Sequence, residues 1–435
     1  MSTESLPVVP DAEAEAPAGR FGVKVSLLVL ILIANGAVWA EFFPPIITLL
    51  PLRVRALRPD DYTTALSIIL TVSAVIGLLA APLAGALSDR SRARFGRRRT
   101  WLVVFVLVGS VGNLIMGGAG NRAVLIVGAS IGQIGFGATS AILFALIPEH
   151  VHPSGRGRVG GLLGIGMAVA TVVGISVSAA LASSPATAWA VLSAIGTVGV
   201  LLLAAKLPDS PSTGTGRPPF SLVSLAQTYW LSPRRYPDFG WAWVSRFGLY
   251  LAFASVITYQ VFYLTDQIGV GSPEDAVRAA GVGTAVQTIF TVLGAGGGGW
   301  LSDRVGRRKP FVICAASIGA VALLCYTFAT ALPLYLVGTA LTGLAIGCYA
   351  SVDDALVTAL LPNGASDAGK HLAVINIANN LPNTVAPAVA PLLLSVSLFT
   401  VVENASGRNY TTLFLGSAVF ALISALTLLK VRSVR

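Results

Sequence analysis

Few side chains in this sequence could do chemistry, and most of them lie inside long apolar runs. Glu41 sits in Trp39-Ala-Glu41-Phe42-Phe43-Pro44-Pro45, Arg246 follows Trp243-Val-Ser, and Asp353 and Asp354 stand side by side after Ser351-Val. An ionisable group at membrane depth costs about 2.5–3.5 kcal/mol on insertion scales, so each of the four is a candidate for function. Desolvation penalises the charged form of a carboxyl. That makes Glu41, Asp353 and Asp354 candidates to carry a proton, with Arg246 as their counter-charge. Arg246 and one aspartate reach similar depth from one side, which fits either a fixed structural ion pair or a switchable one. Adjacent helical residues point about 100° apart, so the two aspartates cannot face one site equally. For Glu41 the alternative is a charge in an outer vestibule near Arg53.

A second set is uncharged. Asn376, Asn379, Asn380 and Asn383 recur at i, i+3, i+4 and i+7, which makes one amide stripe along a helix. Amides pair donors with acceptors and suit an uncharged, hydroxyl-rich ligand. The same stripe could instead hold helices together, at about 0.6 kcal/mol per hydrogen bond. Pro382 and Pro387 interrupt that helix, as a moving gate requires. Asn35 with Trp39, Tyr250 one turn after Arg246, Tyr349 one turn before the aspartates, and Gln133, Gln260 and Gln287 complete a set that would suit a sugar ring. Tyr263 and Trp241 read as interfacial-belt residues. The three histidines and Cys314, Cys325 and Cys348 lack metal-ligand spacing, and the cysteines read as core. Gly160-Gly161 and Gly296-Gly297-Gly298-Gly299 follow no strand, so they read as helix packing rather than phosphate loops. No nucleophile–base set appears. The expectation is a non-enzyme with no cofactor and no metal.

The elements that hold these residues follow from composition. The chain has 435 residues, 54% hydrophobic and 11% charged, against about 25% charged in soluble domains. A soluble enzyme or a nucleic-acid binder is excluded. Twelve apolar runs recur, each near the ~20 residues that span a bilayer, and they lack the alternation of a membrane β-barrel. The net charge of +10 is asymmetric: 22 of the 29 lysines and arginines fall in alternate loops, including six arginines from Arg90 to Arg99. The positive-inside rule puts those loops and both termini in the cytoplasm of a cell-membrane protein. Residues 1–22 read as a disordered tail and 23–206 as a first six-helix half. A proline-rich linker covers 207–237, a second half 238–430, and a short tail 431–435.

The halves repeat. Gly85-Ala-Leu-Ser88-Asp89-Arg90 returns as Gly299-Trp-Leu-Ser302-Asp303-Arg304, and Gly96-Arg97-Arg98-Arg99 as Gly306-Arg307-Arg308-Lys309. Pro148 and Gly155-Arg156 match Pro362 and Gly369-Lys370. Parallel six-helix repeats suggest alternating access, with a site between the halves.

The doubled loop resembles the signature of the major facilitator superfamily. The extended first copy, from Ser88 to Arg99, is similar to that of sucrose transporters and glycoside–pentoside–hexuronide symporters. The resemblance implies an all-α membrane protein of twelve helices in two pseudo-symmetric halves, with helices 1, 4, 7 and 10 lining a central cavity. It implies a cytoplasmic gate of Gly85, Asp89, Arg90, Gly96, Arg97 and Arg98, matched by Gly299, Asp303, Arg304, Gly306 and Arg307. In that gate the glycines allow close helix approach, while the aspartates cap helices and pair with arginines. Helix 4 lacks the arginine, and helix 5 the Gly-Pro signature, of the family's proton-coupled drug exporters. Helix 2 lacks the mid-membrane carboxylate of the glycoside–pentoside–hexuronide symporters. The expectation is a monomeric, proton-coupled carrier of a small polar solute, a sugar or glycoside. An efflux antiporter for amphipathic compounds is the alternative, and a non-transporting sensor or scaffold the alternative of another class.

Overall fold

The computed structural model describes residues 25–91, 93, 95–152, 155–209, 236–360, 368–396, 400–402 and 406–431. Twelve long helices run through them. The first half holds α1 (Val25–Leu57), α2 (Tyr62–Arg90), α3 (Arg97–Gly118), α4 (Arg122–His150), α5 (Arg156–Ala180) and α6 (Pro185–Lys206). The second holds α7 (Pro237–Asp266), α8 (Pro273–Val305), α9 (Lys309–Phe328), α10 (Leu332–Leu360), α11 (Ala368–Ser395) and α12 (Tyr410–Leu429). Among the described residues, eleven of these are long and apolar enough to cross a membrane. The other is α11, with Pro382, Pro387 and Pro391 inside it.

The repeat is visible in the packing. In the first half α1 packs on α5 and α6, α3 on α4 and α6, and α2 on α4; in the second, α7 packs on α11 and α12, α9 on α10 and α12, and α8 on α10. Every pair has its counterpart six helices later. The two loop glycines also match: Gly96 has φ +104° and Gly306 φ +66°, a region that disfavours other residues. At the opposite end the chain starts helices with polar caps. Asn121 Oδ1 accepts from Val124 N–H, Ser272 Oγ from Asp275 N–H, and Asn409 Oδ1 from Thr412 N–H.

Close helix approach is made by glycines other than the signature pair. Cβ atoms at Gly112 and Gly135 would lie 2.3 Å from Gly132 N and 2.2 Å from Gly109 N, which ties α3 to α4. At Gly343 and Gly347 they would lie 2.2 Å and 2.0 Å from carbonyls of α8. Among the described residues, Gly85 has no such neighbour within 4 Å, and Gly299 meets Ser351 alone, at 3.7 Å.

Two expectations change here. Tyr263 is not a lipid-facing belt residue: in the last turn of α7 it is buried, donates to the Tyr326 carbonyl at 2.7 Å, and packs against Tyr326, Tyr335, Tyr410 and Phe414. A ring with a polar tip can sit deep when a carbonyl receives that tip. Cys314 is not core but exposed on α9, while Cys325 and Cys348 are half-buried.

Candidate functional site between the halves

The halves meet chiefly through α2 with α11 and α5 with α8. Their polar contacts gather at the end away from the arginine-rich loops. Arg55, at the end of α1, pairs with Asp266, at the end of α7, at 2.8 Å, and donates to Thr265 Oγ1 at 2.5 Å. Tyr62 of α2 donates to Asp266 Oδ2 at 2.6 Å, and Tyr410 of α12 at 2.8 Å. The Arg408 guanidinium lies over the Tyr62 ring at 5.1 Å and donates to the Asp60 carbonyl at 3.1 Å. Deeper in, Ser67 Oγ donates to the Pro387 carbonyl, which Tyr259 also reaches at 3.4 Å.

That carbonyl is available because Pro391, four residues on, has no N–H to give it. Pro387 therefore marks the face of α11 that meets the other half. Asn383 lies one turn earlier on the same face, and Asn380 beside it. Both are exposed, whereas Pro387 is buried. The stripe thus emerges where the halves separate. Asn379 is half-buried, and its Oδ1 has no hydrogen-bond partner among the described residues. At the arginine-rich end, Cβ positions at Gly85, Gly160, Gly164, Gly296 and Gly297 meet nothing within 4 Å among the described residues. Among the described residues, the polar contacts between the halves thus lie at the end away from the arginine-rich loops.

The ionisable residues are divided between the halves. Arg246 Nε donates to Asp353 Oδ2 at 2.6 Å between α7 and α10, with both side chains buried. Beside them Ser245 Oγ lies 3.1 Å from Tyr349 Oη and 3.0 Å from Ser424 Oγ, and Tyr250 meets Tyr349 edge to face. Glu41 stands in the other half and faces its interior, not the interface. Its Oε1 accepts from Ser110 Oγ at 2.6 Å, and its Oε2 lies 1.8 Å from where a Cβ on Gly196 would be. The glycine on α6 makes the room. Pro45 cannot donate to the Glu41 carbonyl, and Asn113 Nδ2 fills that place at 3.0 Å. A void with room for about one water molecule lies alongside, lined by Glu41, Asn113, Phe136 and Thr139.

The remaining candidates scatter. Trp39 is half-buried against Phe43 and Phe136, both 5.2 Å away by ring centres. Asn35 is buried in α1. Gln260 serves its own half, donating to Tyr335 Oη and, at 3.4 Å, to the Ala280 carbonyl. Gln133 packs 3.1 Å from the Cβ position of Gly77, and Gln287 is half-buried in α8 where Gly343 meets its backbone. The side chains of Asp89, Arg90, Asp354 and Asn376 lie outside the described residues. Asp303 is exposed, and Arg304 stacks on Trp300 at 5.3 Å.

Two acids absent from the sequence reading organise the first arginine loop. Glu149 pairs with Arg97 at 2.9 Å and with buried Arg98 at 2.7 Å. Asp209 Oδ2 accepts the backbone N–H of Arg98 at 2.6 Å and of Arg99 at 2.8 Å. Glu149 follows Pro148, a matched landmark of the repeat, and that adjacency was the available signal. Arg55 and Asp266 had one too, being opposite charges at corresponding helix ends of the two halves.

The profile of the Major Facilitator Superfamily matches residues 29–297 and 275–435. The chain belongs to this superfamily. As a member it is a multi-pass membrane transporter and not an enzyme. Solved structures of the same fold include a bacterial homologue of the human lysosomal transporter Spinster, inward-facing and occupied. It is 14% identical, with 94% of this chain and 97% of that one covered and a TM-score of 0.71. The D-xylose–proton symporter is 17% identical over 94% and 98% of the two chains, with a TM-score of 0.68. The nucleoside transporter NupG is 12% identical over 94% and 100%, with a TM-score of 0.66. No curated protein sequence matches this chain.

Proposed function

We propose that this transporter moves a small, neutral, polyhydroxylated solute, a sugar or glycoside, across the cell membrane with protons. The observation that carries the reading is the amide stripe of α11. Asn380 and Asn383 are exposed where the halves part, and Asn379 brings an unpartnered carbonyl oxygen. Carboxamides there offer donors and acceptors without fixed charge. The carboxylates described are committed elsewhere, Asp353 to Arg246 and Glu41 to Ser110. A lining of amides favours a neutral solute. The D-xylose–proton symporter, a sugar carrier by its name, shares this fold.

The arginine-rich end is the cytoplasmic one on the positive-inside rule, so the conformation is inward-open. Coupling rests on the Arg246–Asp353 pair with Asp354 and Glu41. A proton on Asp353 cancels its charge and releases the guanidinium to a second state. In the outward-open state Asp89 and Asp303 would secure the cytoplasmic gate with Arg90, Arg304 and the arginines after them. The test is uptake of labelled monosaccharides, disaccharides and glycosides into proteoliposomes, with and without an inward proton gradient. Saturable accumulation that collapses with a protonophore, and in Asn380→Ala with Asn383→Ala, is expected. Sugar uptake that equilibrates without concentrating would remove the proton roles. Dye efflux without sugar flux would replace the reading with that of an exporter.

A further inference from the structure

We infer that the groove at the start of α9 binds the phosphate of an anionic membrane lipid. The internal repeat shows what this position requires. In the first half, the three residues that open α3 after Gly96 are all arginines, and two carboxylates answer them. Glu149 takes the Arg97 and Arg98 guanidinium groups, and Asp209 takes two backbone N–H groups of the first turn. In the second half the same register carries Arg307, Arg308 and Lys309 after Gly306, but neither acid recurs at its own register position. The residue after Pro148 is Glu149, while the residue after its counterpart Pro362 is Asn363. Asp209 is the third residue after α6, while the third residue after α12 is Arg432. The basic residues of the site are duplicated, and Glu149 and Asp209 give way to Asn363 and Arg432.

The space left is a feature of its own. α9 begins with no side-chain cap. An open groove of about 640 Å³ lies beside its first turn, lined by Arg307, Lys309, Pro310, Ile313 and Cys314. Arg307 is exposed and makes no ion pair among the described residues. Lys309 Nζ donates to the carbonyls of Leu429 at 3.2 Å and Val431 at 2.8 Å, which uses two of its three N–H bonds and holds the ammonium at the groove. An anion there meets two cations and the positive end of a 20-residue helix. The ligand is specified further by the apolar side. Ile313 and Cys314 lie one turn into a membrane-spanning helix, with Val321 and Phe328 exposed along it. Free phosphate would leave that strip empty. A phospholipid places its phosphate against Arg307 and Lys309 and its acyl chain down α9, a geometry suited to basic pockets at the membrane surface.

Cys314 reports on the groove directly. The purified transporter is placed in phosphatidylcholine nanodiscs with or without phosphatidylglycerol, and alkylation by N-ethylmaleimide is followed by peptide mass spectrometry. Half-buried Cys325 and Cys348 serve as internal standards. Phosphatidylglycerol should slow labelling of Cys314 relative to them, and Arg307→Gln should remove about fivefold of that protection, the share of one cation near an anionic surface. Arg307→Lys should keep most of it. Equal protection by phosphatidylcholine alone would mean apolar filling without headgroup recognition and would overturn the inference. So would protection by inorganic phosphate without anionic lipid, which would make the site one for a free anion. Protection that survives Arg307→Gln in full would also overturn it, because the charge would then be irrelevant.

Discussion

Asp266→Asn is the sharpest perturbation of the closed end. The Asp266 side chain is almost fully buried and receives four donors: Arg55 and Tyr62 from the first half, and Thr265 and Tyr410 from its own. Thr265 and Tyr410 belong to the same half and can donate whether the halves are together or apart, so they cancel. Asparagine keeps the shape and one acceptor oxygen but loses the charge. A hydrogen bond to a charged acceptor is worth about 1.5–3 kcal/mol and a neutral one about 0.5–1.5, so each crossing bond loses about 1 kcal/mol. The Arg55 side chain is 37% exposed, which keeps its share at the low end. The two together come to about 2 kcal/mol, or about thirtyfold in the ratio of open to closed at this end. Thr63 provides the readout. It lies one turn before Ser67 on the buried face of α2, and its hydroxyl has no partner to lose. In a variant without the native cysteines, Thr63→Cys should react with an impermeant maleimide about thirty times faster when Asp266→Asn is added. Arg55→Ala should raise the rate too, and the two changes together should fall short of the sum because they break one contact. An unchanged labelling rate in Asp266→Asn would refute the idea that this cluster holds the end shut.

Three further outcomes follow from the geometry. Removing one member of the buried Arg246–Asp353 pair, by Arg246→Met or Asp353→Leu, should cost about 3–5 kcal/mol, seen as a lower Tm in detergent. The double substitution should recover much of it, and a double variant as unstable as the sum of both would refute the pairing. Gly196→Ala puts a methyl 1.8 Å from Glu41 Oε2 and should cost about 1–3 kcal/mol. Glu41→Ala should relieve that loss in thermal unfolding, and failure to do so would contradict the placement of the carboxylate. Pro391→Ala offers the Pro387 carbonyl an N–H from its own helix. Labelling at Thr63→Cys should rise about fivefold, one net hydrogen bond, and an unchanged rate would show that Ser67 contributes nothing to closure.

The architecture was legible because its signals are periodic and repeated. Apolar runs mark the helices, and the doubled Gly-x-x-x-Asp-Arg loop marks the halves. The ion pair of Arg246 with Asp353 was legible for a related reason, since lone opposite charges at equal depth have few other partners. Glu41 was not. Its depth could be read, but its direction depends on which way α1 is turned, and that is set by Gly196 and Ser110 on helices far along the chain. Gln260 failed likewise, because its partner Tyr335 is 75 residues away. The closing cluster was missed because Arg55, Tyr62 and Asp266 look like ordinary loop charges and an interfacial ring until two halves are docked. Glu149 and Asp209 were missed because the arginines of that loop already had a sufficient explanation in membrane topology.

The prolines show how one backbone defect serves two purposes. Pro45 deprives the Glu41 carbonyl of its helical donor, and Asn113 replaces it within the same half at 3.0 Å. That bond joins α1 to α3 and need never break. Pro391 deprives the Pro387 carbonyl in the same way, but there the nearer substitute is Ser67, on the half that must move away. Tyr259 remains on the stationary side at 3.4 Å, so opening leaves the carbonyl with a partner rather than orphaned. The crossing bond is therefore weak by construction, about 1 kcal/mol net. Added to the roughly 2 kcal/mol of charge assistance at Asp266, the polar latch amounts to a few kcal/mol. A solute needs about 5.5 kcal/mol of differential binding to carry a two-state protein from 1:99 to 99:1. A latch of this size lies within that reach.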